Sequence, residues 1–176
     1  LYELFGADSS LAKSNLEKLK KVTCDDSAFT QVTALGVLSG AVDAKKGKRL
    51  LETDALNGMT CFMSFAIVDA MEKTSDGETV LRLIKEYYGA MLDLGATTFW
   101  EDFNISWLDE NPDPITALPD KNHKNIHADF GRYCYKGLRF SLCHGWSTGF
   151  VDFFFTYVLG VVPTAAGYSS VKVEPH

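Results

Sequence analysis

This 176-residue chain has few clustered basic residues, no long apolar run and no closely paired cysteines. These are the features of nucleic-acid-binding faces, membrane spans and zinc sites. Basic side chains cluster only at residues 18–21 and 45–49, and the formal net charge is −6, whereas phosphate binding needs a clustered basic face. The longest apolar run, residues 150–162, is shorter than the roughly 20 residues that span a bilayer. The four cysteines lack the short paired spacings of a zinc site. We therefore expect no nucleic acid, no membrane anchor and no zinc site.

Histidine and cysteine are also scarce, with four of each. His123 and His127 lie four residues apart with Asp129 nearby, a spacing that could bind a divalent metal on a helix. The surrounding segment is rich in Asn and Lys and has no apolar stripe. We therefore expect a solvated loop there, and neither a metal nor a cofactor. The cysteines are expected to be free and mostly buried, with a Cys134–Cys143 disulfide as the alternative.

Strand patterns are nearly absent, whereas apolar residues recur at helical spacing along most of the chain. Five stripes show this spacing: residues 12–22, 29–38, 62–70, 80–91 and 150–158. Ser75 and Glu78 form a capping box before the fourth stripe. The fifth stripe is aromatic, which is typical of a buried core, and Gly160 ends it. Val171 and Val173 alternate with polar residues, which predicts one half-buried strand after an all-α architecture.

Only residues 102–140 lack a helical pattern over a long stretch. They hold three of the five prolines, namely Pro112, Pro114 and Pro119. Loops longer than about 15 residues are uncommon unless they are functional or disordered. We therefore expect this segment to form the rim of a pocket.

One stretch combines an aromatic ring with carboxylates. Residues 95–103, GATTFWEDF, place Trp100 beside Glu101 and Asp102 where a helical segment ends. A pyranose has apolar faces that stack on aromatic rings and hydroxyls that bond to carboxylates, so this combination suits a sugar. The alternative is a core tryptophan followed by solvated acids.

Two further stretches follow in order: residues 141–147, SLCHGWS, and residues 167–176, GYSSVKVEPH. Together with residues 95–103, they resemble the C-terminal part of the catalytic domain of bacterial α-L-rhamnosidases of the inverting type. In that family a GATT-aromatic-WE element carries the general base and a histidine-Gly-Trp-Ser or related element follows. A helix ending in LG then leads into a small β domain. The resemblance covers most of the chain and is strongest from Met91 onward.

The resemblance implies an (α/α)6 toroid, in which six inner and six outer helices enclose the active site. About five helices are less than half of such a ring. We therefore expect residues 1–160 to form an incomplete (α/α)6 toroid, and residues 161–176 a linker and the first strand of a C-terminal β domain. Because the chain starts at Leu1 rather than Met, the remainder of the same polypeptide is expected upstream, where it would cover an apolar edge. The family also implies an extracytoplasmic location, periplasmic or secreted.

The resemblance further implies an activity, the removal of terminal α-L-rhamnose from glycans or glycosides with inversion. Inverting enzymes use one carboxyl as the acid and another as the base that activates water. Glu101 matches the general base, and His144 matches a sugar-contacting histidine. Trp100 and Trp146 are candidates for an aromatic wall, while Asp102 is a candidate to orient Glu101 or the water. For His144 the alternative is a capping or core histidine at a helix start. For Trp146 the alternative is a packing role, and for Asp102 it is a solvated side chain.

The general acid has no match in residues 1–94, because Asp69 and Glu72 sit singly on helical faces. We expect the acid upstream and expect the isolated chain to be inactive. Two alternatives stay open. One is another toroid-fold carbohydrate-active enzyme, although only four arginines argue against a lyase for acidic sugars. The other is a non-catalytic glycan-binding toroid.

Overall fold

The computed structural model describes residues 8–21, 29–131 and 140–176. Most of it is helical, with one small antiparallel sheet near the C-terminus. The α-helices before the site are α1 (Ser10–Leu19), α2 (Thr30–Ser39), α3 (Ala44–Gly58), α4 (Ser64–Thr74) and α5 (Gly77–Asp93). The prediction of a mainly helical chain with a terminal β element is confirmed. Within the described ranges, no helix combines the length and apolar character needed to cross a membrane.

Helix α3 is an element that the sequence analysis did not predict. Asp43 caps it by accepting a hydrogen bond from the Lys46 amide at 3.0 Å. Its buried positions are Gly47, Leu51 and Ala55, spaced four residues apart. Because only one of the three is a large apolar residue, the buried face escapes a search for apolar stripes. The helix packs against α2, α4 and α5.

The predicted stripe of the first helix does not face the core, and of the second stripe only Leu38 packs against it. No residue of α1 is buried, and on α2 Phe29 is 80% exposed. The inner face of α2 consists of Thr30, Thr33 and Ala34. These smaller side chains allow close packing against α3 and α4. The predicted end of the first helix near residue 23 and the predicted start of the second at residues 26–27 lie outside the described residues.

The sequence places the N-cap of α5 at Ser75, one residue before its observed position at Asp76. Asp76 caps the helix by accepting a hydrogen bond from the Thr79 amide at 2.8 Å, whereas Ser75 lies at the C-terminal end of α4. This hydrogen bond stabilises the ionised carboxylate and so lowers the pKa of Asp76. Glu78 stays in the first turn of the helix, where a negative charge is favourable.

Gly95 turns the chain from α5 toward the predicted site. Its φ of +90° lies in the left-handed region, and a Cβ there would lie 2.9 Å from the Ile115 side chain. The Ala96 amide donates to the carbonyl oxygen of Met91 at 3.1 Å, which closes the helix end. A residue without a Cβ is therefore required where the GATTFWEDF stretch begins.

Of the segment 102–140, which was expected to form the rim of a pocket, the structure describes residues 102–131 and 140. The segment starts with a 3₁₀ helix at Ile105–Glu110 and is then held by Asn125, which is 2% exposed. The Asn125 side-chain amide donates to the carbonyl oxygen of Ala117 at 3.0 Å, and its oxygen accepts from the His127 amide at 3.0 Å. Neighbouring Ile126 is fully buried. The described residues of the segment therefore contribute to the core as well as to the cleft described below.

The two histidines of this segment have different environments. The His123 side chain is 69% exposed, as expected for a solvated loop. His127 is buried, and its Nε2 lies 2.7 Å from the carbonyl oxygen of Phe140, so the prediction of a solvated residue is wrong there. Within the described ranges, no three metal-binding side chains form a group that could hold an ion. Because the His127 ring is tied to a backbone carbonyl, it acts as a packing residue.

The last helical stretch and the sheet follow the site. Helix α6 (Val151–Phe153) continues as a π-helical turn, Phe154–Val158. Phe150 and Phe153 are buried, which confirms the predicted aromatic core stripe. Strands β1 (Val161–Pro163) and β2 (Val171–Val173) pair antiparallel.

The predicted strand is present but is not half-buried, because Val171 and Val173 are both exposed. Gly160 has a φ of +62°, and a Cβ there would overlap the Glu174 carbonyl oxygen. The strand is therefore held by its backbone pairing and by this close approach.

Candidate functional site

The two motif segments lie side by side as an antiparallel pair. The His144 amide donates to the carbonyl oxygen of Phe99, and the Glu101 amide donates to the carbonyl oxygen of Ser141, both at 2.8 Å. The Thr98 hydroxyl also donates to the carbonyl oxygen of Leu142. The structure thus brings together two stretches that lie about 40 positions apart in the chain.

Glu101 lies in a concave, partly aromatic surface. Its half-buried side chain lines a cleft of about 270 Å³. The other lining residues are Thr60, Phe62, Asp102, Phe103, Asn104 and Trp107. The Glu101 Oε2 accepts a hydrogen bond from the Ser141 amide at 2.8 Å. The carboxylate therefore lies in the cleft with one oxygen held by a backbone amide, and its side chain stays partly accessible to solvent.

The lining of the cleft combines groups that suit a polyhydroxylated ligand. Glu101 and Asp102 offer carboxylate oxygens, Asn104 offers an amide and Thr60 a hydroxyl. Aromatic edges and faces come from the phenylalanine and tryptophan residues of the lining. Ligand sites typically combine apolar walls with a few placed polar groups. The cleft can therefore accept hydrogen bonds from a sugar while covering part of its apolar surface.

The charge of Asp102 acts on a buried pair of side chains, Cys61 and Tyr87. Burial raises the pKa of the Cys61 thiol to about 12, and the Asp102 charge adds to that rise. The pKa of Tyr87 is also raised, chiefly by burial. Because the thiolate is the reactive form of cysteine, Cys61 is not a nucleophile at neutral pH.

Tyr87 holds the segment that carries the two acids. Its hydroxyl donates to the carbonyl oxygen of Phe103 at 2.6 Å and lies 3.5 Å from the Cys61 sulfur. Both Tyr87 and Phe103 are fully buried. Together with the hydrogen bond from the Glu101 amide to the carbonyl oxygen of Ser141, this hydrogen bond fixes the backbone on either side of Asp102. Sequence reasoning missed Tyr87 and Ser141, since a core tyrosine and a backbone amide give no local signal.

Two of the predicted site residues occupy positions other than those expected. Trp100 is 1% exposed and packs against Phe103 and Phe140, so its assignment to an aromatic wall is wrong. His144 is half-buried and precedes the 3₁₀ helix Gly145–Thr148, which is the capping position that the sequence left as the alternative. It is not among the described residues that line the cleft. Contact between His144 and a sugar stays a prediction.

Trp146 lies at the surface beside the cleft. It is 70% exposed, and its ring stacks on Phe62 with centroids 4.9 Å apart and planes 23° apart. Phe62 itself lines the cleft. The aromatic surface near Glu101 is therefore provided by Phe62, Trp107 and Trp146 rather than by Trp100. Phe62 and Trp107 could not be identified from the motifs, because they lie outside them in the sequence.

A second group of acids consists of Asp69 and Glu72 on α4 and Asp152 on α6. Burial raises the pKa of Asp69, and the charge of Asp152 raises it further. The pKa of Glu72 is raised by burial and by both of these acids. The prediction that Asp69 and Glu72 sit singly is therefore wrong. Since neither residue lines the Glu101 cleft, they do not supply the missing general acid there.

The expectation that the cysteines are free and mostly buried is met only in part. Cys61 is buried and free, as predicted, whereas Cys143 is free but exposed. Cys24 and Cys134 lie outside the described residues, and so does one end of the alternative disulfide.

Comparison of the chain with protein-family models, with curated proteins and with solved structures found no match. A functional assignment therefore depends on the motifs at residues 95–103 and 141–147 and on the cleft beside them. The relevant physical features are the two adjacent carboxylates, the aromatic lining and the fixed position of Glu101.

Proposed function

We propose that this chain is the base-carrying part of a glycoside hydrolase that removes terminal α-L-rhamnose by an inverting mechanism. The supporting observation is that Glu101 and Asp102 both line an aromatic-walled cleft beside the His144 segment. The rest of the (α/α)6 toroid and the general acid would come from the remainder of the polypeptide. A secreted or periplasmic location is part of the same proposal.

Glu101 acts as the general base in this mechanism. Its Oε2 is held by the Ser141 amide, so Oε1 is the oxygen assigned to take the proton from the attacking water. A carboxylate with one oxygen fixed keeps its orientation while the other oxygen reacts. Asp102, next in the chain and also in the cleft, orients the water. The acid on the opposite face of the sugar protonates the leaving oxygen.

The size of the cleft supports action on a chain end. Its volume of about 270 Å³ is slightly below the roughly 300 to 1,000 Å³ of pockets that hold drug-sized ligands. The space that the described residues bound is enough for about one sugar ring. An enzyme with such a cleft would remove a single terminal unit.

The test is hydrolysis of 4-nitrophenyl α-L-rhamnoside by the intact protein. Glu101→Gln should lower kcat by about 10² to 10⁴ while leaving substrate binding largely intact, because a positioned base contributes roughly that factor. Glu78→Gln serves as a control, since Glu78 is exposed in the first turn of α5. The sugar released first should have the inverted anomeric configuration by NMR. Activity of Glu101→Gln within tenfold of wild type would rule out the assignment.

A second candidate is a non-catalytic glycan-binding protein. The exposed Trp146 ring on Phe62 favours it, because an aromatic shelf holds a sugar without any chemistry. Binding of methyl α-L-rhamnoside without hydrolysis of any nitrophenyl glycoside would select this candidate. Hydrolysis of a different nitrophenyl glycoside would instead select another carbohydrate-active toroid enzyme.

A further inference from the structure

Trp146 and Phe62 form a stacked pair that extends from inside the cleft to the surface outside it. Phe62 lines the cleft and is 39% exposed, whereas Trp146 is 70% exposed. Because Phe62 covers one face of the Trp146 ring, most of the exposed area belongs to the opposite face and the ring edge. The pair thus presents an aromatic surface that is continuous with the cleft. We call this surface the aromatic shelf.

The shelf is held in place by buried hydrogen bonds beneath it. The Tyr88 hydroxyl lies 2.9 Å from Ser64 Oγ and 3.1 Å from the carbonyl oxygen of Ser147. Ser64 lies two residues after Phe62, and Ser147 directly follows Trp146. Both serines are fully buried. The two aromatic residues are therefore anchored to one another through α4 and α5, and binding at the shelf requires little ordering of the backbone.

The charge near the shelf disfavours anionic ligands. Glu101 and Asp102 line the adjoining cleft, and the chain as a whole carries a formal net charge of −6. An acidic sugar would be repelled at such a place. A neutral sugar has an apolar face that suits the Trp146 ring.

We propose that the aromatic shelf is a second sugar-binding subsite. It holds a neutral sugar linked to the terminal sugar that occupies the cleft. The cleft has room for one ring, so the next unit must lie outside it, and the shelf is the surface continuous with the cleft at Phe62. This inference rests on the proposed function and extends it by naming the substrate class, a neutral glycan of at least two units.

The test compares the affinity of one-unit and two-unit ligands. The ligands are methyl α-L-rhamnoside and the methyl glycoside of an α-L-rhamnosyl-glucose disaccharide. Dissociation constants are measured by calorimetry for the intact protein with Glu101→Gln, so that neither ligand is hydrolysed. The variants Trp146→Ala, Trp146→Phe and Phe155→Ala are added to that background. Phe155 is a matched control because it is 58% exposed and does not line the cleft.

We expect the disaccharide to bind about 3- to 10-fold more tightly than the monosaccharide, the factor that one aromatic contact provides. Trp146→Ala should abolish this ratio, Trp146→Phe should keep most of it, and Phe155→Ala should leave it unchanged. A ratio that Trp146→Ala does not alter would overturn the second subsite while the proposed function stands. Failure of both ligands to bind would overturn the proposed function, and the subsite with it.

Two further measurements keep the result decisive. If Trp146→Ala does not fold, iodide quenching is compared between the Glu101→Gln protein and the same protein with Trp146→Phe added, and the difference isolates the fluorescence of the exposed Trp146. The disaccharide should protect this fluorescence and the monosaccharide should not; equal protection by both would contradict the inference. Binding of 4-nitrophenyl α-L-rhamnoside is measured as well, to test whether the shelf binds a sugar or a flat aromatic aglycone. If Trp146 contributes more to binding of the nitrophenyl compound than of the disaccharide, the assignment to a sugar is wrong.

Discussion

The hydrogen bond from Tyr87 to the backbone beside the two acids gives the sharpest test of this structure. Tyr87→Phe removes the hydroxyl and leaves the ring in place. The Tyr87 hydroxyl donates to the carbonyl oxygen of Phe103 at 2.6 Å, and both residues are fully buried. The substitution therefore leaves a buried carbonyl without this donor.

The expected loss of stability comes from the missing hydrogen bond and from the buried carbonyl that is left without this donor. A typical intramolecular hydrogen bond contributes about 0.5 to 1.5 kcal/mol net, and a buried group left without a partner costs about 1 to 3 kcal/mol. We therefore expect Tyr87→Phe to lower the free energy of unfolding by about 1 to 3 kcal/mol. For a protein of this size each kcal/mol lowers Tm by roughly 2 to 4 °C.

Urea unfolding followed by circular dichroism measures the change, with the m-value checked for constancy. Tyr168→Phe is the matched control, because Tyr168 is 66% exposed and its substitution should change stability by less than about 0.5 kcal/mol. If Tyr87→Phe is no more destabilising than Tyr168→Phe, the hydroxyl does not hold the segment 101–103. The account of how Glu101 is positioned would then be wrong.

Two other substitutions test the segment after the site and the acids of α4. Asn125→Ala should lower the free energy of unfolding by about 2 to 4 kcal/mol, since it removes several buried hydrogen bonds at once; exposed Asn122→Ala, measured alongside by urea unfolding, should have little effect. Burial raises the pKa of Asp69 above its ordinary value of 3.8, so the folded state keeps that proton to a higher pH than the unfolded state does. The unfolding free energy should fall as the pH rises from about 3.8 through the raised folded pKa. Asp69→Asn should reduce this fall in unfolding free energy, whereas substitution of an exposed acid, Asp93→Asn, should not. The unfolding free energy is measured between about pH 4 and pH 7. Equal pH profiles for Asp69→Asn and wild type would contradict the raised pKa of Asp69.

The sequence identified the elements whose buried face is rich in large apolar residues. Helix α5 buries Val80, Ile84 and Met91 at the predicted spacing, and the aromatic stripe near residue 150 is in the core. Helix α3 was missed because its buried face contains Gly47 and Ala55, which do not stand out in an apolar pattern. Periodicity detects side-chain size and polarity, so a helix packed through small residues is hidden from it.

The candidate site was predictable only in part, for a related reason. The motifs identified Glu101 and Asp102, and both line the cleft. They could not show that Trp100 faces the core while Phe62 and Trp107 line the cleft, because that choice depends on tertiary packing. The same holds for the segment 102–140, where the buried Asn125 is not distinguishable in sequence from the exposed asparagines around it.

The backbone pairing of residues 98–101 with residues 141–144 has a consequence for how the protein could vary in evolution. Since the intervening segment leaves and returns at the same place, its two ends are held together by their own hydrogen bonds. Leu118, at 89% exposure, lies at the surface in that excursion, and residues could be added or lost near it. Such changes would alter the neighbourhood of the cleft without shifting Glu101 relative to His144.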